Sequence, residues 1–225
     1  MELILLPGLD GTGLLFGPLI KCLPKDLKAR PVSYPLSPLT YLQLAEYVKE
    51  HLPKDEDFVI IAESFSGPIA CLLAQNPPSN LKKVIFVATF LSTPRPSLIK
   101  TINYLPVGHL TRLLPDFAVK ALLLGSGAND ELISLFRKTL KSVPPNVIHS
   151  RLKEISKLKL NCDKIPIDCS YIQATGDRLV ANARLEDFNV VSNRIRVHQV
   201  AGPHFILQAN PKECANIMIE EIELL

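Results

Sequence analysis

The sequence predicts an α/β fold: a mostly parallel sheet of about six strands flanked by helices. Three observations predict it. Short runs rich in Val, Ile and Leu recur along the chain, most of them too uniformly apolar for a sheet with one wet face. Segments with apolar residues at helical spacing alternate with these runs, the order expected of a doubly wound sheet. The 225 residues also suffice for one domain with a sizeable core, whereas two full domains would be a squeeze.

The strand candidates are Glu2–Leu6, Ala29–Tyr34, Asp57–Ala62, Lys83–Ala88, Asp168–Ala174 and Asn193–Val200. Tyr41, Ala45, Val48 and Leu52 recur at helical spacing, as do Ile69, Leu72 and Leu73. Asn210, Pro211 and Glu213 supply the cap, first-turn proline and capping-box acid of a helix start. Between Pro94 and Pro166 the rhythm breaks: no strand is legible, and Leu132, Phe136 and Leu140, then Val147, Leu152, Ile155 and Leu158, mark helices punctuated by prolines. Residues 94–166 therefore read as a helical cap inserted after the fourth strand, with 1–93 and 167–225 forming the core.

Composition excludes several classes. A net charge of +3 with no basic block argues against a nucleic-acid partner. The apolar start of the chain is too short for a signal peptide and runs into a glycine loop, so it reads as a strand. No stretch is long enough to form an integral membrane segment. Cys22, Cys71, Cys162, Cys169 and Cys214 are odd in number and scattered, which suggests reduced thiols in a cytoplasmic protein rather than a disulfide framework or a zinc site. No metal site is expected. The glycine spacing of "GLDGTG" does not fit a nucleotide loop, so no cofactor is expected either.

The chemistry concentrates in "FVIIAESFSGPIACLLA", where Glu63, Ser64 and Ser66 interrupt an apolar run. A serine at a strand-to-helix junction, with small residues two places away on each side, is the setting of a nucleophile elbow. Here Ala62 and Ser66 stand where glycines are usual, and Gly67 follows. Such a turn lifts Ser64 above the strand ends, with its Oγ facing a helix N-terminus that favours negative charge. The alternative is an ordinary turn with Ser64 as a helix cap. A serine needs a base, and the base needs an orienting acid. Asp177 follows one strand candidate and His204 follows the next, giving the chain order Ser, Asp, His. Upstream, Gly8, Gly11 and Gly13 let the backbone bend so that the N–H of Leu9, with that of Phe65, could form an oxyanion hole. His51, His109, His149 and His198 read as surface or satisfied histidines. Asp163 and Asp168 fall on the wrong edge of the sheet, and Asp10 and Glu63 read as loop-holding groups.

Together, "PGLDGTG", "AESFSG", "GDRLV" and "GPHF" resemble the α/β-hydrolase superfamily over nearly the whole chain. The resemblance implies an α/β-hydrolase fold beginning at the position of the family's third strand. It implies Ser64 as nucleophile, His204 as base, Asp177 as its acid, and Leu9 and Phe65 as oxyanion donors. Pro7 stands where many members carry a histidine.

The apolar residues of the insertion, among them Leu98, Ile102, Leu105, Leu110, Leu113, Leu114, Phe117 and Leu122 to Leu124, exceed what a plain cover needs, so Leu113 and Phe117 are candidates for an acyl-binding wall. The expected activity is hydrolysis of small-molecule carboxylic esters or thioesters with an apolar acyl group, through an acyl-enzyme. Two alternatives stay open: acyl transfer by the same triad, since "PGLDGTG" also resembles some plant acyltransferases of the superfamily, and a non-catalytic ligand-binding protein on the hydrolase scaffold.

Overall fold

The computed structural model describes residues 1–96, 99, 114–159, 162–180, 182–192 and 195–225. Six strands, β1 (Glu2–Leu6), β2 (Lys28–Pro31), β3 (Phe58–Glu63), β4 (Leu81–Val87), β5 (Asp168–Ala174) and β6 (Ile195–Val200), form one sheet in the order β2-β1-β3-β4-β5-β6. All neighbours are parallel. The helices are α1 (Gly17–Ile20), α2 (Tyr41–Glu50), α3 (Gly67–Gln75), α4 (Asp116–Val119), α5 (Asp130–Ser142), α6 (Pro145–Lys157), α7 (Glu186–Val191), α8 (Ile206–Ala209) and α9 (Pro211–Glu223).

The uniformly apolar strands are central because both faces are covered. Ile4, Leu6, Ile60, Ala62, Val84 and Phe86 point into a core shared with α2, α3, α6 and α7. Their alternates Leu3, Leu5, Val59, Ile61, Ile85 and Val87 meet Phe16, Leu19, Cys214 and Met218 on the other side. The edge strands are shorter or wetter. β2 ends at Pro31, three residues before the expected Tyr34, since proline has no N–H for the ladder and belongs on an edge. Asn193, expected to open β6, lies outside the described residues. β3 and β4 start within two residues of expectation.

The chain runs from β1 to β2 on one side, then crosses back to β3 on the other. The crevice at the carboxyl ends of β1 and β3 is thus the topological switch point, where open parallel sheets bind ligands. Between β4 and β5 lie α4, α5 and α6, and α5 carries Leu132, Ile133 and Phe136 into a separate apolar cluster with Leu15 and Val119. Among the described residues no helix is long and apolar enough to cross a membrane.

Cys71 and Cys162 correct the expectation of free thiols: their sulfurs stand 2.23 Å apart as a disulfide. The two residues are 91 positions apart, and nothing in their sequence spacing marks the pairing. Cys22, Cys169 and Cys214 are free, and burial pushes the thiols of Cys169 and Cys214 up to about 12.

Candidate active site

Ser64 leaves β3 with φ 48, a left-handed conformation that a residue with a side chain adopts only when its surroundings enforce it. The enforcement is local. Ala62 is fully buried, and α3 starts at once with Pro68 in its first turn. A Cβ on Gly67 would come within 2.1 Å of Thr89 Oγ1, so the close approach that the elbow needs falls at Gly67, one place after the expected second glycine. Thr89 uses that proximity: its hydroxyl donates to the Ser64 carbonyl. Ser66 is more than a small spacer. Its Oγ donates to the Pro7 carbonyl, so the Tyr34 hydroxyl, 2.5 Å away, must donate to Ser66.

Asp177 and His204 reach the same place from the ends of β5 and β6. Their loops are tied by the Gly176 N–H donating to the Gly202 carbonyl at 2.8 Å. The Asp177 carboxylate accepts the N–H groups of Leu179 and Val180 on Oδ1, at 2.7 and 2.9 Å, which leaves Oδ2 for His204 Nδ1 at 2.7 Å. The other ring nitrogen, Nε2, lies 2.8 Å from Ser64 Oγ. With a carboxylate on Nδ1, that nitrogen carries the proton and Nε2 is free to accept one. The side chains of His204 and Asp177 are each only 4% exposed, so the relay is shielded from water.

The loop after β1 is held through several of its carbonyls. Besides the bond from Ser66 to the Pro7 carbonyl, the Gly11 N–H donates to the Gly8 carbonyl at 3.0 Å. Arg151, from α6, donates Nη1 to the carbonyls of Leu9 and Asp10, at 3.0 and 2.5 Å, and Nη2 to that of Pro35 at 3.2 Å. Gly11, at φ 68, is where the guanidinium lies: a Cβ there would sit 2.4 Å from Nη1. Burial lowers the Arg151 pKa, opposed by the nearby Asp10. Glu63 is 3% exposed, and its Oε1 accepts from Gln208 Nε2 at 3.0 Å. Burial pushes its carboxyl up to about 7 despite this hydrogen bond.

A cavity of about 310 Å³ opens beside Ser64 and His204. Gly8 and Leu9 form one side, and Leu122, Leu123, Phe136, Leu140, Ile148 and Leu152 from the β4–β5 segment form much of an apolar wall. Arg95 is the basic lysine-or-arginine residue on this lining among the described residues. Phe117, expected in the wall, is 75% exposed on α4 and is not among the residues that line the cavity. Its helix is four residues long and buries Val119 instead. Leu113, like Leu98, Ile102, Leu105 and Leu110, lies outside the described residues.

The histidines read as bystanders lie away from Ser64 where described. His51 Nδ1 contacts the Tyr47 carbonyl at 2.7 Å, and His198 Nε2 contacts Glu221 at 2.7 Å; His109 lies outside the described residues. Asp10 accepts from Thr12 N–H and Oγ1, within the loop. Sequence reasoning missed Arg151, Tyr34 and Gln208. Arg151 occupies an apolar helix face beside Ile148, Leu152 and Ile155, a pattern break that marks a buried charge.

No family model matches the chain, and no curated protein matches it. Solved structures do. A lipase-esterase related protein from Clostridium acetobutylicum superposes with a TM-score of 0.78 at 18% identity, covering 97% of this chain and 93% of that one. A hydrolase from Pseudomonas aeruginosa gives a TM-score of 0.81 at 14% identity, covering 98% and 89%. An enol-lactonase from Burkholderia xenovorans gives 0.79 at 14% identity, covering 99% and 91%. With its parallel six-stranded sheet and these likenesses over almost its full length, the chain has the α/β-hydrolase fold.

Proposed function

We propose that the protein is a serine hydrolase that cleaves carboxylic esters or thioesters with an apolar acyl group through an acyl-enzyme. The observation that carries the reading is the relay from Ser64 Oγ to His204 Nε2, at 2.8 Å, and from His204 Nδ1 to Asp177, at 2.7 Å, at the mouth of an apolar cavity. In this reading His204 takes the Ser64 proton as Oγ attacks the substrate carbonyl, and Asp177 holds the tautomer and stabilises the imidazolium. The N–H groups of Leu9 and Phe65 receive the oxyanion, in a loop held rigid before the substrate arrives. His204 then protonates the leaving alcohol or thiol, and a water activated by the same nitrogen releases the acid.

Residues 94–166 act as the cap, and Leu122, Leu123, Phe136 and Leu140 form the acyl wall. A cavity of about 310 Å³ lies at the small end of ligand sites, about 300–1,000 Å³, which favours a compact substrate. The solved structures named above, an esterase-related protein and a lactonase among them, agree with ester chemistry on this scaffold. The test is incubation with a fluorophosphonate, followed by intact mass and mapping of the adduct. One adduct on Ser64 supports an activated serine; an unmodified protein moves the weight to a ligand-binding role. Product analysis with and without an added alcohol separates hydrolysis from acyl transfer.

A further inference from the structure

One polar side chain in the cavity wall has no partner among the described residues. Thr139, on α5, lines the cavity beside Ser64 and is wholly buried, and its Oγ1 has no hydrogen-bond partner among the described residues. A threonine inside a helix ordinarily turns its hydroxyl onto the carbonyl three or four residues back. Thr139 does not, although it is the tenth residue of a 13-residue helix, with those carbonyls in place behind it. Such an unpaired group costs about 1–3 kcal/mol, a cost that valine, with the same shape, would avoid. The other buried side-chain atoms without partners, on Tyr41, Ser170 and Gln208, belong to residues that do not line this cavity.

A bound water would need two to four polar partners, and the wall residues flanking Thr139 on its helix are Phe136 and Leu140. A charged group is a poor match, since one hydroxyl in an apolar wall cannot replace the hydration of an ion. An uncharged oxygen on the ligand matches: Thr139 can donate to it or accept from it after a χ1 rotation.

We propose that Thr139 is a specificity residue, and that the cavity takes acyl groups carrying a hydroxyl or keto oxygen along the chain in preference to plain alkyl chains. The inference rests on the reading of the cavity as the acyl site. Its discriminating power comes from the same asymmetry that lets a buried polar group reject ligands that leave it unpaired.

Binding of free acids tests it without turnover. Octanoic acid and its 3-, 6- and 8-hydroxy derivatives would be titrated calorimetrically into wild type, Thr139→Val and Thr139→Ser, with thermal melts to establish that each variant is folded. At least one hydroxy acid is expected to bind wild type about tenfold more tightly than octanoic acid. Thr139→Val should abolish that preference while keeping or improving octanoic acid binding, and Thr139→Ser should retain it. Equal binding of all four acids to wild type, no binding of any, or a preference that survives in Thr139→Val overturns the inference. A protein labelled at Ser64 by fluorophosphonate but indifferent to the hydroxyl refutes the role of Thr139 and leaves the hydrolase reading standing. A hydroxyl preference in an unlabelled protein does the reverse.

Discussion

The guanidinium of Arg151 lies 3.0 Å from the carbonyl oxygen of Leu9, joining a helix of the β4–β5 segment to the loop proposed to hold the oxyanion. The same helix presents Ile148, Leu152 and Ile155 to the cavity, so one element both lines the cavity and fixes the loop's geometry. Arg151→Met should lower kcat by roughly a hundredfold with little change in KM, the scale of loss from a small misplacement of catalytic groups. Added guanidinium should restore part of the rate, as it would not if the residue only supported the fold. Steady-state kinetics with and without guanidinium check this.

Glu63 makes stability depend on pH. Its folded-state pKa, about 7, lies above its ordinary value of 4.5 because burial penalises the carboxylate. The folded state therefore binds more protons than the unfolded state between those values. The contribution to stability is fully present below pH 4.5 and is lost as pH rises through about 7. Glu63→Gln removes the titration and lets the Gln208 amide turn its unpaired Oε1 away from solitude. Denaturant unfolding should find the variant more stable than wild type at pH 8, by roughly 3 kcal/mol, and equal to it at pH 4.

Ser66 tests how much the elbow depends on the loop after β1. Seen only as a small residue beside the nucleophile, it should tolerate alanine. With its hydroxyl bonded to Pro7 and Tyr34 in a buried site, Ser66→Ala strands a carbonyl and a phenol. The expected loss is about 1–3 kcal/mol of stability and a clear drop in rate. Removing the phenol as well, in Tyr34→Phe with Ser66→Ala, should cost less than the two single changes added together. A double-mutant cycle by chemical denaturation reads the difference.

At the far end of the sheet Lys83 and Glu221, each 1% exposed, pair at 2.8 Å, and His198 also meets Glu221. Burial alone would raise the Glu221 carboxyl, yet the bonds from Lys83 and His198 hold it below its usual range. Lys83→Met leaves a buried carboxylate without its main partner and should destabilise by about 3–5 kcal/mol, measured by urea unfolding, with kcat/KM of the folded protein unchanged.

These contrasts show what a sequence carries. β1 was legible to the residue because a strand covered on both faces needs an unbroken apolar run, and Ser64, Asp177 and His204 stood out because each follows a strand candidate. What stayed hidden depends on long-range approach. Arg151 reaches a loop 142 positions away, and the reason for Gly67 is Thr89, on another strand's end. An apolar residue in a short helix carries no periodicity to say which face is buried, and on α4 the buried residue is Val119 while Phe117 is exposed.

The most direct test of the central claim is intact mass spectrometry of the protein quenched within milliseconds of mixing with a p-nitrophenyl ester, with Ser64→Ala in parallel. Wild type should gain the mass of one acyl group, mapping to Ser64, and release p-nitrophenol in a burst. Ser64→Ala should gain none, and its kcat should fall by roughly 10⁴ to 10⁶ while it remains folded. A wild-type protein that stays unacylated under turnover, or a Ser64→Ala variant that hydrolyses the ester at a comparable rate, would contradict the account and leave Ser64 as a residue of the turn alone.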